Sequence, residues 1–102
     1  MLVISAFHLK SMEEKTAGLL GTTKPKTVFF TTRFGIHTFF MKYPIDIVIL
    51  DAKSRVVGLR ENLRPNRIFA WNPLHKNVLE MPHGSIRNLK IKIGQEIELR
   101  LS

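Results

Sequence analysis

Gly35–Asp51, GIHTFFMKYPIDIVILD, reads as two dense apolar strands joined at Tyr43-Pro44. Pro44 cannot donate to a ladder, so pairing breaks there and resumes at Ile45. His37 and Asp46 sit inside these apolar strands. Buried polar groups are costly unless paired, so each is either a structural clasp or part of a site. Along Ile36–Met41, alternation places His37, Phe39 and Met41 on one face and Ile36, Thr38 and Phe40 on the other.

The flanking segments extend the β pattern. Leu2–Leu9 is apolar on both faces, and Thr27–Arg33 is rich in β-branched and aromatic residues. Asp51–Ser54 forms a turn in which Asp51 bonds its own backbone two residues on. Arg55–Glu61 returns as the second hairpin arm, with Gly58 marking a bulge or a close backbone approach. Ile68–Trp71 and Asn77–Met81 are short strands. Glu96–Leu101 alternates, with Ile97, Leu99 and Leu101 inward. Ser11–Glu14 has capping-box spacing and opens a helix to about Leu20. Ser85 caps a single helical turn through Leu89.

Together these describe one α+β, β-rich domain spanning residues 1–102. The expected architecture is a compact, rolled or barrel-like, mostly antiparallel sheet with two short helices. A chain of this length buries roughly two-thirds of its unfolded surface, so a core forms without staples. There is no cysteine, hence no disulfide and no thiolate chemistry. No signal-peptide core and no apolar run of membrane-spanning length is present. A soluble, cytoplasmic protein with no membrane partner is expected; oligomeric state is left open.

Sixteen basic residues against eight acidic ones give a formal charge of +8. That favours anionic partners, but the charges are dispersed and no basic run reaches five residues. Nucleic-acid binding is therefore a secondary reading.

The order of motifs resembles the family known as domain of unknown function 192. The resemblance rests on H-x-F-F-M at His37–Met41, P-I-D at Pro44–Asp46, the Glu13–Gly21 segment, Val78-Leu-Glu-Met-Pro82 and Ile91–Gln95. The family usually has Gly where this chain has Lys53-Ser54, and Asp where it has Gln95. Both are turn positions. The resemblance implies a small β-rich domain and transfers no reaction.

Three groupings of side chains stand out. His37 and Met41, with Met81 and His83 from another segment, have the chemistry of a soft-metal site; a core Met and a hydrogen-bonded His is the simpler account, and no metal or cofactor is expected. Asp46 and Glu80 each interrupt an apolar strand, and with His37 they suggest a polar cluster. Trp71 lies in an irregular segment beside Arg64 and Arg67. No nucleophile motif, phosphate loop or H-E-x-x-H pattern occurs. The expectation is a non-catalytic module binding a small polar or anionic ligand through His37, Asp46, Glu80, Met41, Arg64 and Trp71. An acid–base enzyme using His37 with Asp46 or Glu80 is the alternative.

Overall fold

The computed structural model describes residues 2–9, 26–33, 35–38 and 41–102. Eight strands and one helix occur there: β1 (Leu2–His8), β2 (Val28–Thr31), β3 (Ile36–His37), β4 (Ile45–Leu50), β5 (Val56–Leu63), β6 (Ile68–Phe69), β7 (Asn77–Pro82), α1 (Ser85–Leu89) and β8 (Ile97–Leu101). The helix expected from Ser11 to Leu20 lies outside the described residues.

Six strands form one sheet in the order β5-β4-β7-β2-β1-β8, and β3 pairs with β6 in a second, small sheet. Pairing is antiparallel except where β1 meets β2 and β8. The large sheet curls until its two edges touch. Arg55 bridges Glu96, Val56 N–H donates to Gln95 O at 2.9 Å, and Ile97 N–H donates to Ser54 O at 2.9 Å. The result is a β-rich α+β fold built on a half-barrel.

Curling gives the sheet an inside and an outside, and both are apolar. Val56 and Ile97, from the two meeting edges, share the inner cluster with Ile4, Phe29, Val48, Leu50, Leu79 and Met81, while Ile86 of α1 and Ile91 also pack into it. The outer cluster contains Val28, Phe30, Met41, Ile45, Ile47, Ile49, Leu63 and Val78, with Ile36, Tyr43, Phe69 and Trp71 packed over it. β4 lies between the two clusters, and all six of its residues are buried. That is why it reads as a nearly unbroken apolar run. Each such Ile, Leu or Val side chain contributes about 1.5–3 kcal/mol on burial.

Several local expectations change. β3 ends at His37, not Met41, because Thr38 leaves the pleat to bind the 64–67 segment. Met41 N–H then closes back on Thr38 O at 3.2 Å. Leu101 is 44% exposed, since β8 is an edge strand and its last residue extends past the core. Gly84, not Ser85, occupies the N-cap position of α1, with φ 95°. Ser85 Oγ instead donates to Pro82 O at 2.6 Å.

The turn residues behave as their chemistry requires. Asp51 Oδ1 accepts from Lys53 N–H at 2.8 Å and Arg55 N–H at 2.9 Å. The Arg55 N–H in particular holds the Asp51 carboxyl below the usual range. Ser54 has φ 60°, a left-handed conformation that favours glycine. At Gly58 the close approach and the bulge coincide: a Cβ would lie 3.3 Å from Ile49 Cβ, beside a register shift between Ile49 and Leu50.

Candidate functional site

Asp46 is wholly buried and is held mainly by backbone donors. It sits where β5 carries an extra residue: Ile45 pairs with Leu63 but Ile47 with Arg60. The bulge puts Asn62 at φ 53°, a conformation Asn tolerates, and its N–H reaches Asp46 Oδ1 at 2.9 Å. Oδ2 accepts from Gly84 N–H at 3.1 Å and Ile86 N–H at 3.0 Å. The half-exposed His83 ring brings Nδ1 to 3.5 Å from Oδ1. Three backbone donors thus converge on one carboxylate, which ties β4 to the β5 bulge and to the start of α1.

Glu80 is the opposite case. It lies on β7 between Val28 of β2 and Ile47 of β4. By alternation with Val78 it faces the outer cluster. It is 2% exposed, and among the described residues neither carboxyl oxygen has a hydrogen-bond partner. Burial pushes its pKa up from 4.5 to about 8, so the side chain is mainly a neutral acid at pH 7. Such a group keeps one donor and spare acceptor capacity.

The six residues expected to form one site do not gather in one place. Met41 and Trp71 belong to the outer cluster, on the face that carries Glu80. Asp46 is level with Met81, and Glu80 with Ile47, so the two carboxyls point to opposite faces. His37 is exposed, opposite Ile68 on the small sheet; it does not share a face with the buried Met41, because the strand ends between them. The Arg64 side chain is also exposed. The soft-metal grouping is divided as well, with Met41 in the outer cluster and Met81 in the inner one.

Thr38 was not singled out from the sequence, yet it fixes the outer layer. It is fully buried. Its Oγ1 donates to Arg64 O at 2.6 Å and accepts from Arg67 N–H at 2.9 Å. Its backbone N–H donates to Arg67 O, and its O accepts from Asn66 N–H, both at 2.9 Å. The available signal was a hydroxyl in the middle of an aromatic run. Trp71 is held by its own bond, Nε1 donating to His75 O at 2.7 Å, and its ring lies 5.7 Å from that of Phe69.

Known proteins resemble this chain in sequence and in shape. A UPF0127 protein of Pyrococcus abyssi is 41% identical over 71 residues, covering 68% of this chain and 60% of the relative. A UPF0127 protein of Pyrococcus horikoshii is 35% identical over 63 residues, covering 62% and 54%. The match thus spans less than two-thirds of these relatives' length. A Novosphingobium aromaticivorans protein of unknown function superposes with a TM-score of 0.71 at 22% identity, covering 92% of this chain and 71% of that one. A putative transcription regulator from Sinorhizobium meliloti gives 0.67 at 18%, covering 90% and 76%. At such identities the two structures bear on fold alone. The model of domain of unknown function 192, described as "Uncharacterized ACR", matches residues 4–99. The chain therefore belongs to that uncharacterised family.

Proposed function

We propose that this protein is a non-catalytic binding module for a small polar or anionic ligand, with Glu80 at the base of its site and Met41 and Trp71 beside it on the outer face. One observation carries the reading: a carboxyl buried in an apolar layer with both oxygens unpartnered among the described residues. A buried polar atom without a partner costs stability, and a polar ligand would supply the missing partner. Held neutral by burial, the acid can donate a hydrogen bond to an anionic or carbonyl oxygen without repelling it. Arg64 and the other cations of this side favour anionic character in the ligand.

Acid–base catalysis by His37 with Asp46 or Glu80 is disfavoured, because His37 is exposed on the small sheet while both carboxyls are buried, Asp46 among backbone donors and Glu80 in an apolar layer. A cytoplasmic location is part of the proposal; it accords with the lack of cysteine, and among the described residues no helix is long and apolar enough to cross a membrane.

The test is a thermal-shift screen of small carboxylates, phosphates, sugars and nucleotides against wild type, Glu80→Gln and Glu80→Met. A compound that raises the Tm of wild type should act less on Glu80→Gln and not at all on Glu80→Met. A compound acting equally on wild type and Glu80→Met, or a screen without any response, would contradict it.

A further inference from the structure

Charge is distributed unevenly along the chain. Residues 26–45 and 62–79 include the small sheet and its connections to the large one. They contain six Lys or Arg and no Asp or Glu, whereas the rest of the chain has ten basic and eight acidic residues. The exposed ion pairs, Arg55–Asp51, Arg87–Glu61 and Arg100–Glu98, all lie outside these segments. Among the described residues, none of the six cations has a carboxylate partner.

The same layer exposes two large aliphatic side chains, Ile68 at 72% and Leu74 at 79%. Leu74 is held out by an ordered turn: its N–H donates to Asn72 Oδ1 at 3.0 Å, and Arg33 Nη1 donates to Pro73 O at 3.0 Å. Among the described residues, the aromatic side chains of this layer do the reverse. Phe69 and Trp71 pack inward on the outer cluster.

We propose that this layer docks on an anionic lipid surface, Ile68 and Leu74 entering the headgroup–acyl boundary while Arg33, Arg64, Arg67 and Lys76 meet the lipid phosphates. Apolar burial combined with basic residues is the physical basis of interfacial attachment. Nucleic acid fits less well, because single-strand binding draws on outward aromatic platforms and leaves the aliphatics unused. A second copy of the chain would bring two like-charged layers together. The absence of a spanning segment has no bearing on attachment to a surface.

Vesicle cosedimentation of the full chain at low salt tests this. The wild type should sediment with phosphatidylglycerol vesicles and not with phosphatidylcholine vesicles. The double variant Ile68→Ser/Leu74→Ser, altered only at exposed positions, should partition about tenfold more weakly or worse, with an unchanged circular dichroism spectrum. Arg64→Glu/Lys76→Glu should weaken binding and its salt dependence. Failure to bind phosphatidylglycerol at low salt would overturn the proposal. So would undiminished binding by Ile68→Ser/Leu74→Ser, or retention on an oligonucleotide at salt that strips the protein from vesicles; these would leave a charge-driven interaction with nucleic acid or an acidic protein.

Discussion

Asp46 and Glu80 stand on neighbouring strands one register step apart, yet their carboxyls project to opposite faces of the sheet, because Asp46 is level with Met81 and Glu80 with Ile47. One is enclosed by backbone donors on the inside of the half-barrel. The other, on the outside, has no partner among the described residues. Two acids that look equivalent as interruptions of apolar strands therefore differ in both surroundings and consequence.

Asp46 should be indispensable to the fold. Asp46→Ala leaves the Asn62, Gly84 and Ile86 N–H groups without their acceptor, and should cost about 3 kcal/mol or more. Asp46→Asn keeps the shape but turns an NH2 group towards one set of donors, so it should also destabilise. Urea denaturation measures both, and a loss within error of zero would refute the clasp.

Glu80 should behave inversely. Glu80→Met removes an unpartnered buried acid and should raise stability at pH 7 by about 1–3 kcal/mol, at the expense of any ligand response. The pH dependence follows from the raised pKa. Between the ordinary glutamate value of 4.5 and about 8, the unfolded chain releases this proton and the folded chain retains it. The destabilising effect of the buried acid is thus smallest below that window and grows as pH rises through it. Denaturation midpoints measured across this range should fall more steeply for wild type than for Glu80→Gln.

Thr38→Val is nearly isosteric and deletes one hydroxyl. It leaves Arg67 N–H and Arg64 O without their side-chain partner, and should cost about 2 kcal/mol. Hydrogen exchange should speed up in the 64–69 segment while β4 and β7 stay protected. Uniform acceleration throughout the sheet would contradict a local strap.

Ser54→Gly should stabilise the protein. A non-glycine residue at φ 60° carries a left-handed backbone penalty, and relieving it should gain about 1 kcal/mol after the added unfolded-state freedom. Thermal unfolding checks the sign.

The sequence was informative where a segment's structure depends on itself. β4 was legible to the residue because it is apolar on both faces, and the end of α1 at Leu89 was legible too, although its cap is Gly84 rather than Ser85. The Asp51 turn was legible because its bonds are local. Orientation of the candidate site was not. A strand's facing depends on pairing register, and a slip of one residue reverses every side chain; nothing within Ile45–Leu50 or Asn77–Pro82 fixes that register. The early end of β3 likewise depends on Thr38 meeting residues 64–67, a contact between distant segments. Gln95 shows local chemistry compensating for a departure from the family: its Oε1 accepts from Lys92 N–H at 3.2 Å, closing the turn in place of Asp.

The most direct test of the account is carboxyl-carbon NMR of the Glu80 side chain through a pH titration, with Glu80→Gln assigning the signal. A midpoint near 8 is predicted, as a solitary acid sealed in an apolar layer requires. A midpoint in the ordinary glutamate range would mean that water or a cation already serves this carboxyl, and would contradict the claim that it stands ready for a ligand.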